Sequence, residues 1–418
     1  MGVGVRLVDA VAPHRMGQSF RHLLGSTLVA NLGDGIVLAA GPLLIASLTD
    51  SPQLIALGAT MQWLPPLVLG LAAGVVTDRF DRVRLVIVVN VVRCAVLAAL
   101  VLGAVTGMLT VAVALVLLFL LGTAEVFADN AFATLLPAVV PRADLGIANA
   151  RVMTGFVTLN QLAGPPVGAA LFLAGAAWPF LAQVVLLGAA TVLISRIALS
   201  PAEAPAARTG VRREIAEGVR WVWRHAAVRT LVLTVFIFNL TFGATFSLLV
   251  VYATERLAVG PVGYGLLTTM TGIGGLVGSA VYGWISRRVS LGNLMRIGLV
   301  LETCTHAAMA VTTVPAVAYA IFLVFGAHES VWATTAATIR QLAVPDALRG
   351  RVGSVNMIGV YGGLVIGSTV GGFIAQGFGV VAVLWYAFFG SAVFVVAIWR
   401  QLRHVAHAED DVTVSSGG

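Results

Sequence analysis

The chain has 418 residues and a formal net charge of +7; 59% of its residues are hydrophobic and only 10% are charged. Soluble domains carry about 25% charged residues, so this composition excludes an ordinary soluble enzyme or binding domain. All the basic residues are Arg, and they are spread along the chain instead of forming one stripe. We therefore expect no nucleic-acid partner, which would require a basic face.

Apolar segments of similar length recur from Phe20 to Trp399, separated by short connections. A helix of roughly 20 apolar residues crosses the hydrocarbon core of a bilayer. We therefore predict an all-α membrane protein with twelve transmembrane helices arranged as two six-helix halves. The predicted spans are residues 20–47, 54–76, 85–106, 109–131, 151–174, 177–198, 230–252, 263–285, 293–313, 316–338, 353–376 and 380–399.

The Arg residues set the predicted orientation of these spans. If the segments cross the bilayer alternately, every Arg except Arg93 and Arg256 falls on the side that also holds both termini. Basic connections stay in the cytoplasm during insertion. We predict a multi-pass protein of the cell inner (cytoplasmic) membrane with both termini cytoplasmic. The first apolar segment is too long for a cleaved signal peptide, so we expect it to remain as a helix.

The longest connection, residues 199–229, lies in the middle of the chain. Its first part is rich in Pro and Ala, and its second part has the pattern of a basic amphipathic helix. We predict that this cytoplasmic linker separates an N-terminal six-helix half (20–198) from a C-terminal half (230–400). Residues 1–19 and 401–418 are then a cytoplasmic N-terminal segment and a cytoplasmic tail.

The two halves share a matched block. GTAEVFADNAFATLLPAVVP starts at Gly122, and GAHESVWATTAATIRQLAVP starts at Gly326. Aligned on these glycines, Glu125 matches Glu329. A parallel duplication of six helices with a long middle connection is the organisation of a large group of secondary transporters.

The connection after the second segment has the sequence GVVTDRFDRVR and supplies Gly74, Asp78, Arg79 and Arg82. It resembles the signature of the major facilitator superfamily, in which Gly, Asp, Arg and a later Arg recur at this spacing. Asp81 stands where the common pattern has Gly. The DRxDR variant is similar to the branch that contains enterobactin exporters and macrolide efflux pumps. The resemblance covers residues 20–400 and implies the major facilitator fold.

A physical role can be assigned to this motif. Gly74 permits close approach of two helices, and the Asp78 carboxylate suits the positive N-terminus of a neighbouring helix. We predict that Arg82 pairs with Asp129 at the cytoplasmic end of the fourth helix. Such an ion pair is a latch, because it stabilises one conformation and breaks when the halves move. The alternative is a basic loop that only sets topology.

The fifth segment contains Gly164, Pro165, Pro166 and Gly168 near its middle. This run resembles the antiporter signature of drug exporters, GPxxG preceded by a Gly; here Asn160 stands at the preceding position. Proline bends a helix and glycine permits tight packing. The resemblance implies export, and the alternative is a kink without a transport role.

Asp34 lies near the middle of the first segment, close to Asn31. A charge at the centre of a bilayer costs about 2.5–3.5 kcal/mol by insertion measurements. We hypothesise that Asp34 exchanges protons; the alternative is a satisfied polar contact to Asn31 or to a neighbouring helix. Arg93 is the only Arg deep in the N-terminal half, and we expect it to pair with a carboxylate.

Further charged residues fall within the spans. We assign Glu125 and Glu329 to a proton-coupling or substrate cavity, whereas Asp129 is assigned to the latch. Glu302 and His306 are four residues apart and share a helix face; a structural and a functional role are both open. The superfamily often carries a proton-coupling Arg in the fourth helix, and none is present here, which favours Asp34 and Glu125 as coupling residues.

These features predict proton-coupled export (antiport) of small, partly apolar molecules, such as drugs, macrolides or siderophores, by alternating access in a cavity between the halves. The expected partners are the substrate, protons and the lipid bilayer, and we expect a monomer. No nucleotide, cofactor or metal site is expected, and an enzyme is the least supported class. Two alternatives stay open: an importer or facilitator of a small nutrient, and a receptor or assembly factor that does not transport.

Overall fold

The structure, a computed structural model, describes residues 16–197, 211–345 and 348–401. Within these ranges the chain is almost entirely helical and contains no strand. The side chains of residues 75, 78, 79 and 211–214 are outside the described part. The predicted N-terminal segment, the first part of the linker and the tail therefore fall largely outside it as well.

The first helices are α1 (Gly17–Leu48), α2 (Pro52–Arg79), α3 (Arg82–Thr106), α4 (Val111–Val139), α5 (Arg142–Ala174) and α6 (Trp178–Ile194). A separate linker helix covers Val211–Arg224. The later helices are α7 (Ala226–Phe246), α8 (Pro261–Ile285), α9 (Leu291–Val311), α10 (Pro315–Ala343), α11 (Arg349–Phe378) and α12 (Val380–Ile398).

Eleven of the described helices are long and apolar enough to cross a membrane. The remaining apolar helix, α6, has 17 residues and occupies the position of the sixth predicted span. The predicted all-α membrane fold is confirmed, whereas the count of twelve spans stays a prediction.

The helix bounds differ from the predicted spans where polar residues continue a helix. The motif after the second span is mostly helical, because α2 continues to Arg79 and α3 begins at Arg82. Asp81 is the N-cap of α3, and its Oδ1 accepts a hydrogen bond from the backbone N–H of Arg84 at 2.8 Å. A capping carboxylate satisfies a backbone donor that the helix leaves free, which gives a local reason for Asp at a position where the family pattern has Gly.

Contacts divide the chain into two compact units. The first unit contains the chain up to Leu48 and Val68–Ala207; the second contains Thr49–Leu67 and the chain from Arg208 onward. This grouping differs from the division expected from sequence in the first part of α2, which belongs to the segment Thr49–Leu67. That part packs on α11, where the hydroxyls of Thr60 and Ser368 are 2.6 Å apart and buried.

In the second unit α7 and α11 cross at glycines. A Cβ added at Gly367 or Gly371 would collide with the backbone of Leu240 or Ala244 on α7. With glycine at these positions the two backbones approach closely. In lipid the hydrophobic effect does not drive helices together, so the dispersion contacts of such close packing hold the helix pair.

Arg256, in the connection between α7 and α8, covers the end of α9. Its guanidinium donates hydrogen bonds to the carbonyl oxygens of Ala310, Val311 and Thr312 at 3.0–3.2 Å. The final carbonyls of a helix have no partner within the helix and carry partial negative charge. Arg256 therefore stabilises the C-terminus of α9.

The linker helix packs on the second unit. Val222 is buried in a cluster with Val344 and Val352, and Glu217 Oε2 lies 3.0 Å from Arg351 Nη1. One face of this basic helix is thus covered by protein, while Trp223 on another face is 57% exposed. An exposed Trp beside Arg residues suits the membrane interface.

Candidate functional site

The charged centre of the first unit is built from three helices. α1 carries Asp34, α3 carries Arg93 and α6 carries Gln183. The Arg93 guanidinium donates a hydrogen bond to Asp34 Oδ1 within an ion pair, and Gln183 Nε2 donates to the same oxygen at 2.8 Å. Arg93 and Gln183 are 3% and 2% exposed, so this oxygen is held by two buried donors.

Two further carboxylates surround the same guanidinium. Glu125 and Asp129, one turn apart on α4, both lie close enough to Arg93 for electrostatic attraction. They also lie close enough to Asp34 for electrostatic repulsion. Neither makes a hydrogen bond or a close ion pair to the residues that the structure describes. The buried Arg93 guanidinium therefore attracts three carboxylates.

A cavity of about 330 Å³ opens beside this centre, within the first unit. Its polar and aromatic lining includes Asn31, Asp34, Asn90, Arg93, Asp129, Phe132 and Phe156. Asn31 donates to the carbonyl oxygen of Thr27 at 2.9 Å and does not hydrogen-bond Asp34. The satisfied contact of Asp34 is thus to neighbouring helices, as one of the sequence alternatives supposed.

The second unit has its own charged cluster. Glu302 on α9 lies between two histidines: His328 Nε2, on α10, is 2.9 Å from Glu302 Oε2, and His306 Nε2 is 3.8 Å from Glu302 Oε1. The pair that the spacing on α9 suggested, Glu302 with His306, is therefore the longer of the two contacts. Both ring nitrogens of His306 are buried without a hydrogen-bond partner.

A cavity of about 300 Å³ lies next to this cluster, again within one unit. Glu329 lines it with Glu302 and His328, and four aromatic residues share the lining. The aromatic residues in the lining are Phe238, Phe242, Phe325 and Trp332. Nowhere in the described ranges do three or more His, Cys, Asp or Glu side chains gather in an arrangement suited to a metal ion.

Comparison with known proteins now identifies the fold. The model of the transmembrane secretion effector family, a family of major facilitator transporters, matches residues 8–416 of the chain. The chain belongs to this family. It is a multi-pass membrane transporter of the major facilitator type. No curated protein sequence gives a significant match, and the enterobactin and macrolide branch stays a prediction.

Solved structures support the same fold. The nucleoside transporter NupG superposes with a TM-score of 0.74 at 13% identity, over 92% of this chain and 99% of that chain. A peptide transporter, POT, in complex with alafosfalin has a TM-score of 0.73 at 12% identity, over 96% and 99%. A bacterial homologue of the iron transporter ferroportin, in an inward-facing state, has a TM-score of 0.70 at 16% identity, over 90% and 98%. At such identities the likeness shows the fold alone.

The motif between α2 and α3 of the transporter is only partly assembled as a latch. Arg82 Nη1 points to the carbonyl oxygen of Thr134 at 3.4 Å, and within the described ranges it has no ion pair with Asp129. Asp129 lines the cavity near Arg93 instead. An added Cβ at Gly74 would make an ordinary van der Waals contact with Asn130 Oδ1 at 3.9 Å, so this contact does not require glycine. The side chains of Asp78 and Arg79 are outside the described part.

The antiporter-like motif forms the crossing of α5 and α1. A Cβ at Gly164 or Gly168 would collide with the backbone of Gly35 or Ile36. Gly35 in turn faces the backbone of Asn160, so α1 supplies a glycine beside the position where the signature expects one on α5.

The turns before this crossing, Phe156–Ala163, are π-helical. Pro165 and Pro166 have no N–H to donate to the preceding turn, which accounts for the wider coil. Such π-helical turns inside α-helices are frequent at functional sites. The motif thus combines a local change of helix register with a close helix crossing.

Three residues of the two charged centres were missed by sequence reasoning: Gln183, His328 and Trp332. Gln183 is a lone amide in an apolar segment, which is the type of residue that a bilayer tolerates only with a partner. That signal was available for Gln183. His328 was missed because its partner Glu302 lies on another helix and no spacing rule joins them.

Proposed function

We propose that the protein is a proton-coupled exporter of small, partly apolar molecules. In this proposal it works as a monomer by alternating access in the cell inner membrane, with both termini in the cytoplasm. The carrying observation is the excess of carboxylates around Arg93. The family to which the chain belongs, described as secretion effectors, supports the outward direction.

The charge balance of the first unit favours proton binding. Asp34, Glu125 and Asp129 bring three negative charges to one guanidinium when all are ionised. Uncompensated charge within a membrane costs several kcal/mol. Binding of protons to the carboxylates removes the excess charge, so this centre is suited to take up and release protons as the environment of its cavity changes.

Arg93 provides a way to couple protonation to rearrangement. When Asp34 is ionised, its Oδ1 holds both Arg93 and Gln183. A proton on Asp34 removes the charge that attracts Arg93, and the attraction of Glu125 and Asp129 then dominates. Since these carboxylates lie on α4 and Asp34 lies on α1, this exchange of partners changes the forces between helices of the first unit.

The helix-five motif also supports export. Its resemblance to the antiporter signature of drug exporters includes Gly164, Pro165, Pro166 and Gly168, and all four lie at or next to the crossing of α5 with α1, the helix that carries Asp34. A shift of this crossing would move Asp34 directly. Import of a nutrient by the same fold is the competing function, and the direction of transport decides between the two.

Transport by inverted membrane vesicles tests the proposal. Candidate compounds are offered with and without an imposed proton gradient, acid inside, so that export appears as uptake. We expect gradient-stimulated uptake of at least one apolar compound, and its loss in Asp34→Asn. Asp50→Asn is the matched control, because Asp50 is exposed in the connection between α1 and α2 and has no part in the centre.

Two results would reject the proposal. Uptake of a transported compound that does not depend on the gradient removes proton coupling. Gradient-driven uptake by Asp34→Asn equal to that of the unmodified transporter removes Asp34 as the coupling residue. Accumulation only in right-side-out vesicles would favour the importer.

A further inference from the structure

The cavity of the second unit contains a carboxylate without a partner. Glu329 is exposed on the cavity wall, and it makes no hydrogen bond or ion pair to any residue that the structure describes. It lies near the middle of the 29-residue helix α10. A charged group at this depth requires compensation, and the protein around it supplies none directly.

The nearby basic groups are poorly placed to compensate Glu329. His328 is only 7% exposed and its Nε2 is used by Glu302, while its Nδ1 is buried with no partner. Neither ring nitrogen of His328 therefore makes a hydrogen bond to Glu329. Arg340, on the same helix, is about 16 Å farther along the axis.

Aromatic rings line the same cavity as Glu329. Phe242 and Phe325 are nearly parallel with their centroids 5.9 Å apart, and Trp332 lines the wall one turn beyond Glu329. The faces of aromatic rings attract cations, most strongly when water is excluded. A carboxylate beside such rings is the combination that recognises a cation with an apolar body.

Both cavities contain carboxylates, but their guanidinium groups are placed differently. In the first-unit cavity Arg93 lies in the lining and forms an ion pair with Asp34. Arg340 belongs to the lining of the second-unit cavity but is about 16 Å from Glu329 along the helix axis, so it does not neutralise the Glu329 carboxylate.

We propose that the second-unit cavity binds lipophilic organic cations, with the Glu329 carboxylate as counter-ion and with Phe242, Phe325 and Trp332 as the aromatic wall. This inference rests on the proposed transport function, since it names the class of cargo. It assigns substrate recognition to the second unit and leaves proton exchange to the first. Glu302 is held by His328 and acts there as a positioning residue for the histidine.

Equilibrium binding to the purified full-length transporter tests this inference without any proton gradient. The probes are tetraphenylphosphonium and tetraphenylborate, which have nearly the same size and apolar surface but opposite charge. We expect the cation to bind at least tenfold more tightly than the anion. We further expect Glu329→Gln to weaken cation binding at least tenfold while changing anion binding less than twofold.

The internal repeat offers a matched variant. Glu125→Gln makes the same change at the corresponding position of the first unit, and the inference requires it to weaken cation binding less than Glu329→Gln does. Equal affinity for the two probes, or equal losses in the two variants, would overturn the inference. The comparison of the two probes on the unmodified protein tests the preference for cations even if Glu329→Gln does not fold. Cation binding without gradient-driven transport would refute only the coupling proposal.

Discussion

Removal of Arg93 gives the sharpest test of the charged centre. Arg93 is buried, and among the side chains that the structure describes its guanidinium is the cation next to Asp34, Glu125 and Asp129. Breaking a buried ion pair by removing one partner typically costs about 3–5 kcal/mol, because the other charge is left uncompensated. We expect Arg93→Met to reduce the free energy of unfolding by about this amount.

Removal of the carboxylate partner should reduce the free energy of unfolding by less. Asp34→Asn removes one carboxylate but leaves Arg93 between Glu125 and Asp129, and the amide oxygen of Asn still accepts from Gln183. We expect a loss of about 1.5 kcal/mol, the lower value for a hydrogen bond to a charged group. The double variant Arg93→Met/Asp34→Asn should be more stable than Arg93→Met alone, since it carries one fewer uncompensated carboxylate.

Reversible unfolding in mixed dodecyl maltoside and SDS micelles, followed by Trp fluorescence, measures these differences. The double-mutant cycle then gives the coupling between the two residues, which for groups in contact amounts to about 0.5–3 kcal/mol. The reasoning fails if Asp34→Asn costs more than Arg93→Met, or if the double variant is the least stable of the three. Either result would mean that Arg93 is not the shared counter-ion.

Two further predictions concern helix packing and capping, and the same unfolding assay checks both. Gly168→Ala should reduce the free energy of unfolding by about 1–3 kcal/mol, because its methyl group would overlap the backbone of Ile36. Gly188→Ala is the control, since nothing lies within 4 Å of its added Cβ. It should be neutral or stabilising by up to about 1 kcal/mol. Equal losses in these two variants would contradict the crossing. Arg256→Ala should reduce the free energy of unfolding by about 1.5–3 kcal/mol, because it removes hydrogen bonds from the end of α9. Arg256→Lys should recover only part of this loss, because an ammonium lacks the forked donors of a guanidinium. Full recovery by Lys would show that charge alone matters.

The fold was accessible from sequence because a bilayer imposes strong rules. Length and hydropathy predicted helices, and the described helices follow the predicted spans closely. The differences lie at helix ends, for example where α10 runs on to Ala343 and where α7 ends at Phe246. Beyond the apolar segment the hydropathy of the sequence no longer marks the helix, and backbone hydrogen bonding alone determines where the helix ends.

The charged centres were accessible only in part. Charges at mid-depth stand out in an apolar sequence, so Asp34, Arg93 and Glu302 were identified as candidates. Their partners depend on which helices are neighbours, and a single sequence carries no signal for that. The placement of Asp129 illustrates this: α4 presents it to the Arg93 cavity, whereas proximity to the cytoplasmic end had suggested pairing with Arg82.

The contact of Gly35 with Asn160 has an evolutionary consequence. The demand for a residue without a side chain belongs to the crossing of two helices and can be met from either of them. A lineage that places this residue on α1 is free to vary position 160, and a pattern defined on α5 alone will overlook its members. Relatives of this protein should therefore be sought with a pattern that joins both helices, in which either position is allowed to be small.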